Sequence, residues 1–157
     1  MKKTVYLDTT IPSYLFDKRK SLQPYSELTR KWLETEKNNY DIWLSEETLS
    51  ELEEGDYPNK ARIIEFASKI QTLPYDKSIV EIAQVYIDNY VMSQILKGDA
   101  IHLAYASYYK MDFLLTWNCN HLANANKRQH IRIINTRLNL FMPEIVTPLV
   151  LFAEEKL

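Results

Sequence analysis

Residues 4–8, Thr-Val-Tyr-Leu-Asp, form a short apolar run that ends on an acidic residue, as a buried strand at the centre of a sheet does. Runs of the same brief, partly β-branched or aromatic kind recur along the chain and are separated by longer helical patterns. They lie at residues 42–44, 113–115 and 131–134, with a weaker candidate at 70–73 that Pro74 ends. Such runs predict the buried strands of a mainly parallel sheet that is covered on both faces.

Helical periodicity is clearest from Ile79 to Tyr90, where apolar residues recur at intervals of three and four. Further helices are predicted at 28–35, 47–54, 59–69, 98–110 and 148–156. Strands that alternate with helices predict an α/β fold, a three-layer α/β/α sandwich built as one domain over residues 1–157. In such a fold the functional cleft lies beyond the carboxyl ends of the strands, where the strand order reverses.

The composition excludes several classes of protein. Only two glycines, Gly55 and Gly98, are present, so neither a Walker loop nor a dinucleotide fingerprint can be built. The single cysteine, Cys119, excludes an intrachain disulfide and a zinc site made of several thiolates. The 157 residues carry 19 Lys and Arg against 21 Asp and Glu, so no overall charge attracts nucleic acid. No signal-like or membrane-spanning run is found, and we expect a cytoplasmic protein with no membrane partner.

Three acidic residues are placed to meet at the expected cleft. Asp8 follows the first strand, Glu51 lies on the helix after the second strand, and Asp99 begins a later helix. Each also has an ordinary interpretation, because Asp suits helix starts and Glu51 is one of several acids on a short helix. Converging carboxylates repel one another unless a cation lies between them, and magnesium and manganese prefer such oxygen ligands. The pattern therefore predicts a Mg²⁺ or Mn²⁺ site for phosphodiester hydrolysis.

A polar turn at 117–121 follows the strand predicted at 113–115, at the edge of the sheet where a ligand would bind. An Asn-rich turn of this kind also forms without any function. The three histidines, His102, His121 and His130, include no pair four residues apart, so a zinc site is not expected. We interpret His102 as a helix-face residue near Asp99, and His121 as a cap or loop contact.

Four short motifs, in this order, resemble those of the PIN-domain family. They are YLDTT at 6–10, LSEL at 49–52, GDAIHLA at 98–104 and LLTWN at 114–118. The ending IVTP at 145–148 is similar to the last strand-to-helix turn of that family, so the likeness covers nearly the whole chain. Within the family, the chain resembles most the VapC-type toxins of toxin–antitoxin pairs.

This resemblance implies a parallel sheet with helices on both sides and a ribonuclease site made of acids that depends on Mg²⁺ or Mn²⁺. By their position in the motifs, Asp8 matches the first acid of the family, Glu51 the second and Asp99 the third. The resemblance also implies an RNA substrate, a cognate antitoxin as partner, and a homodimer.

Two hydroxyl positions of the family are matched by Thr10 and Thr116, which would orient the acids or a water. The family often has a fourth Asp two residues after the second of these threonines, whereas this chain has Asn118. An amide oxygen can still coordinate a cation but brings no charge. A second metal ion is therefore expected to bind more weakly.

The leading interpretation is an endoribonuclease. Asp8 and Asp99 are expected to hold the metal ion, and Glu51 to hold it as well or to orient a water on it. Asn118 is expected to contact that water, a second ion or the phosphate. Five basic residues near these motifs would steer phosphates, although ordinary solvated charges explain them equally well. They are Lys18, Arg19, Lys20, Lys127 and Arg128.

Two alternatives remain open. A catalytically weak PIN-like module that binds RNA or a protein is favoured by Asn118, because an amide stands where an acid would. A phosphoacceptor receiver domain also has a doubly wound sheet with an Asp after a strand. Such a domain needs further acids near the first strand and a Lys after the last one. Here Asp8 is followed by two threonines, and residues 135–137 are Asn-Thr-Arg, so the sequence disfavours this alternative.

Overall fold

A five-stranded, fully parallel sheet lies at the centre of the computed structural model, which describes residues 1–89, 91, 98–118, 122 and 124–152. The strands are β1 (Lys3–Leu7), β2 (Tyr40–Ser45), β3 (Gln71–Leu73), β4 (Phe113–Leu115) and β5 (Glu144–Val146). Four of them overlap the apolar runs of the sequence, which lie at residues 4–8, 42–44, 70–73 and 113–115.

The strand order is β3-β2-β1-β4-β5, so β1 is the central strand and the order reverses between β1 and β4. In the register of this pair, Leu7 lies beside Leu115, and the chain leaves both strands at the same edge. The Asp8 amide then donates to the Leu115 carbonyl at 3.2 Å. Asp8 therefore begins the crevice that a strand-order reversal opens.

Seven α-helices among the described residues surround the sheet. They are α1 (Thr10–Leu15), α2 (Gln23–Glu36), α3 (Glu46–Glu53), α4 (Lys60–Ser68), α5 (Lys77–Asp88), α6 (Asp99–Tyr108) and α7 (Ala125–Arg137). Short 3-10 turns lie at Lys20–Leu22 and Pro148–Val150. None of the helices in the described part of the chain is both long and apolar enough to span a membrane.

Two hydrophobic layers hold the helices on opposite faces of the sheet. On β1, Val5 and Leu7 face a cluster with residues of α1 to α4, whereas Tyr6 faces a cluster with residues of α5, α6 and α7. β4 alternates in the same way, since Leu114 and Leu115 belong to different clusters. The period-two alternation of strand side chains thus produces the expected three-layer α/β/α sandwich.

The strand expected at 131–134 is wrong, because this segment lies inside helix α7. Asn124 caps the helix by accepting hydrogen bonds from the amides of residues 126 and 127. Ile131, Ile134 and Asn135 are buried at helical spacing, while Ile133 is 43% exposed. Three isoleucines in four residues have high strand propensity, but the buried ones recur at i, i+3, and the helical pattern prevails.

The fifth strand is β5, a segment that only the family resemblance had indicated. The helix expected at 148–156 is also not formed as expected within the described residues, where a single 3-10 turn ends at Val150. Pro148 suits the first position of a helical turn, but Leu151 and Phe152 do not continue it. The rest of that expected helix, and Tyr90 at the end of the periodic segment, lie outside the described residues.

Candidate active site

Asp8 is the most buried acid of the site, with 2% of its surface exposed. Its Oδ1 accepts hydrogen bonds from the Thr10 amide at 3.0 Å and from the Thr10 hydroxyl at 2.5 Å. Its Oδ2 accepts a further hydrogen bond from the Thr116 hydroxyl. Both carboxylate oxygens are therefore held by donors from the ends of β1 and β4, which fixes the orientation of the group.

A chain of hydrogen bonds connects Asp8 to Asp99. The Thr116 hydroxyl that donates to Asp8 also accepts a hydrogen bond from the backbone amide of Asn118 at 2.9 Å. The Asn118 side chain in turn donates from Nδ2 to Asp99 Oδ2 at 2.9 Å. Asp99 stands at the first position of helix α6, preceded by Gly98 with its positive φ of 58°. Residues more than ninety positions apart thus meet at one rim of the sheet.

Glu51 reaches the same rim from helix α3. Ser45 begins this helix by accepting the Thr48 amide at its N-cap, so α3 starts directly where β2 ends. The Glu51 carboxylate oxygen Oε1 lies 2.5 Å from His102 Nε2, and the imidazole is almost completely buried. His102 is on α6, three residues after Asp99, so one helix carries both a site acid and the partner of another.

The charges of these groups act on one another. Burial raises the pKa of the Asp8 carboxyl, the nearby His102 and the Thr10 and Thr116 hydroxyls lower it, and Asp99 raises it. Burial by itself lowers the pKa of His102, but the Glu51 carboxylate and then Asp8 outweigh it and hold that pKa above its usual value. The site is therefore one electrostatic unit in which acids outnumber the single base.

This set of groups fits a hard divalent cation. Asp8 and Asp99 present carboxylate oxygens on either side of one hydrogen-bonded connection, and their repulsion is what a cation would relieve. In the part of the chain that the structure describes, no three Asp, Glu, His or Cys side chains stand close enough to hold an ion alone. Mg²⁺ commonly binds through one or two carboxylates and keeps several waters, which is compatible with two acidic ligands here.

The matching family model covers residues 5–127 and describes the PIN domain. The chain belongs to the PIN domain family. Among solved structures, this PIN domain is similar to a toxin–antitoxin complex from Klebsiella pneumoniae, with a TM-score of 0.60 and 21% identity over 92% of this chain and 97% of that chain. It is also similar to the VapBC2 complex from Rickettsia felis bound to a promoter DNA fragment, with a TM-score of 0.59 and 14% identity over 92% and 98%. A comparison with curated proteins gives no significant match.

The five basic residues expected to steer phosphates have varied surroundings in this PIN domain. The Arg19 guanidinium pairs with Asp17 at 2.7 Å, and the Lys127 ammonium donates to the Val91 carbonyl at 2.7 Å. Lys18 lines a cavity of about 640 Å³ whose walls include the first residues of β2, Tyr40 and Asp41. Lys20 and Arg128 are exposed. Their role in RNA binding stays a prediction.

Sequence reasoning missed two members of the site, His102 and Tyr6. We interpreted His102 only as a helix-face residue, whereas it contacts the second acid. Its spacing of three from Asp99 was the available signal, because residues i and i+3 share a helix face. Tyr6 lies next to Asp8 in the strand and points to the α5–α7 side of the sheet. Asn120 and His121, from the polar turn, lie outside the described residues.

Proposed function

We propose that this PIN domain is a Mg²⁺- or Mn²⁺-dependent endoribonuclease that hydrolyses RNA phosphodiester bonds. The observation that carries the proposal is the hydrogen-bonded connection from Asp8 through Thr116 and Asn118 to Asp99, located where the strand order reverses. This arrangement collects negative charge and oxygen ligands at a crevice. Such a site suits hydrolysis by an activated water.

In the proposed mechanism, Asp8 and Asp99 would hold the metal ion, which would neutralise charge on the phosphate and lower the pKa of the attacking water. Thr10 and Thr116 hold the Asp8 carboxylate in a fixed orientation before substrate binds, so little reorganisation is needed during the reaction. Glu51 would orient the attacking water and accept its proton. Asn118 contributes an amide that contacts the phosphate or that water.

The partners proposed for the domain are an RNA substrate and a cognate antitoxin, and the assembly proposed is a homodimer in the cytoplasm. Support for the antitoxin comes from the two similar structures, which are a toxin–antitoxin complex and a VapBC2 complex. The proposed role is therefore that of the toxin in a toxin–antitoxin pair, whose RNA cleavage the partner restrains.

A second candidate is a catalytically weak PIN module that binds RNA or a protein without cutting it. The observation that favours it is the donation from Asn118 Nδ2 to Asp99 Oδ2, because the amide N–H engages an oxygen that a cation would need. With an Asp at the position of Asn118, this hydrogen bond would be replaced by repulsion between two carboxylates, which a cation would relieve. The two candidates differ in whether phosphodiester bonds are broken.

The deciding experiment is cleavage of single-stranded and structured RNAs by the purified protein, with Mn²⁺ or Mg²⁺ and with a chelator. We expect metal-dependent cleavage that Asp8→Asn and Asp99→Asn abolish. Asp112→Asn is the matched control, because that acid precedes β4 at the opposite edge of the sheet and contacts Thr4. Cleavage that survives chelation or either site substitution contradicts the mechanism, and absence of cleavage under all conditions favours the binding module.

A further inference from the structure

A continuous chain of close polar contacts runs behind the acidic site and ends in the ion pair between His102 and Glu51. The Tyr6 hydroxyl lies 2.5 Å from His102 Nδ1, and His102 Nε2 lies 2.5 Å from Glu51 Oε1. Tyr6 is completely buried, and His102 is 2% exposed. The three residues come from the central strand β1 and from helices α6 and α3, so the chain joins elements on both sides of the crevice.

The partners determine the direction of these bonds. An ionised carboxylate only accepts hydrogen bonds, so the proton between the two groups belongs to His102 Nε2, which donates it to Glu51. The Tyr6 hydroxyl contacts Nδ1 on the other side of the ring and lies 2.7 Å from the Ser45 hydroxyl. Ser45 is the N-cap of α3, the helix that carries Glu51. The network therefore fixes the imidazole from one side and the helix start from the other.

Pairing with the buried His102 restricts the Glu51 side chain to one orientation. An exposed Glu side chain adopts several rotamers, and holding it in one costs conformational entropy. Here the Glu51 carboxylate is 27% exposed and paired with a donor that has no alternative solvent partner. The Thr9 hydroxyl, 3.2 Å from Nε2, adds a contact from the residue that follows Asp8. His102 is thus in a position to set where the second acid of the site lies relative to the first.

We propose that His102 is a positioning residue that holds the Glu51 carboxylate at the acidic cluster, with Tyr6 fixing the orientation of the imidazole. The inference rests on the proposed function for its catalytic consequence, since it assigns His102 to the group that orients the attacking water. Both ring nitrogens engage protein groups, so His102 acts through Glu51 and does not itself contact substrate.

A spectroscopic test addresses the geometry independently of any activity. Proton–nitrogen NMR of histidine-labelled, metal-free protein is expected to show a protonated Nε2 on His102 with a strongly downfield proton. Glu51→Gln is expected to shift or remove that signal, and Tyr6→Phe to change the Nδ1 resonance. Tyr86→Phe is the matched control, because it removes another buried hydroxyl, bonded to Ser107 and Asn135, far along α5. A signal that is unaffected by Glu51→Gln overturns the proposal.

A kinetic test addresses the consequence for catalysis. His102→Leu is expected to lower kcat about 10- to 100-fold, the usual effect of removing a group that orients a site ligand. His102→Gln keeps an N–H near the position of Nε2 and is expected to recover a large part of the loss. Combining His102→Leu with Glu51→Gln should cost little more than either alone, since the two residues act as one unit. Fully additive losses, or a Gln variant no better than Leu, contradict the proposal.

Two controls keep the outcomes distinct. His130→Gln, on helix α7, tests whether any histidine substitution changes the rate and is expected to leave kcat unchanged. Thermal unfolding of each variant checks that the fold is kept, and Tyr6→Phe provides a milder test if His102→Leu does not fold. A wild-type protein that cleaves no RNA refutes the proposed function, and in that case the NMR result still decides whether His102 positions Glu51.

Discussion

Removing one hydroxyl at Thr116 tests the hydrogen-bonded connection between Asp8 and Asp99. The Thr116 side chain is fully buried, donates to Asp8 and accepts from the Asn118 amide. Thr116→Val keeps the shape of the side chain but deletes both interactions. The Asp8 carboxylate then loses a donor, and the amide of residue 118 loses its acceptor.

The expected cost follows from these two bonds. A hydrogen bond to a charged group contributes about 1.5–3 kcal/mol, and a partly buried amide left without its acceptor costs about 1 kcal/mol. Together they lower the free energy of unfolding of Thr116→Val by about 2.5–4 kcal/mol. For a chain of this length that corresponds to a fall in Tm of about 5–15 °C. Thr116→Ser keeps the hydroxyl and loses one methyl group, which costs about 1 kcal/mol.

Urea unfolding of the metal-free protein gives the free energies, and titration with Mn²⁺ gives the affinity of the site. We expect Thr116→Val to weaken Mn²⁺ binding about tenfold and Thr116→Ser to bind as the wild type does. Thr136→Val, an exposed hydroxyl on α7, should change stability by no more than about 0.5 kcal/mol. Equal losses for Val and Ser at position 116 would refute the reasoning, because the methyl group and not the hydroxyl would then be responsible.

Three further predictions follow from the site and the core. Asn118→Asp places a carboxylate beside Asp99, so titration calorimetry should give tighter Mn²⁺ binding by about tenfold and thermal unfolding a less stable metal-free protein. Burial raises the pKa of Asp8 in the folded state, so the folded protein binds the Asp8 proton more tightly than the unfolded chain does. The stability that this proton contributes is complete below the pKa of the unfolded state and is lost as the pH rises through the pKa of the folded state. Asp8→Asn should therefore flatten this decline of the unfolding free energy with pH, as measured by urea unfolding at a series of pH values. Asn135→Ala removes a buried partner of Tyr86 and should lower the unfolding free energy by about 2–4 kcal/mol, with an unchanged midpoint contradicting the assignment.

The placement of Asp8 was predictable from the sequence because it depends on local pattern. A brief apolar run that ends on an acid indicates a buried strand, and in the structure β1 ends at Leu7, directly before Asp8. The parallel arrangement then determines which edge the acid occupies, since the helical crossovers bring every strand back in the same direction. Strands β2 and β4 were predictable for the same reason.

The pairing of Glu51 with His102 was not predictable in this way. These residues lie about fifty positions apart on two different helices. The apolar periodicity within a helix predicts which of its faces is buried, but not which other helix packs against that face. The segment 131–134 failed for a different reason, because residue type favoured a strand while burial spacing over a longer window favoured a helix. Local propensity is outweighed there by the packing of Ile131 and Ile134 against the core.

The position of Mn²⁺ in crystals soaked with that ion, located by anomalous scattering, shows whether Asp8 and Asp99 share one cation. We expect a single strong peak that lies about 2.0–2.3 Å from a carboxylate oxygen of Asp8 and from one of Asp99, with waters completing its shell. An ion bound to only one of these acids, or found elsewhere on the protein while both carboxylates stay unligated, would contradict the account.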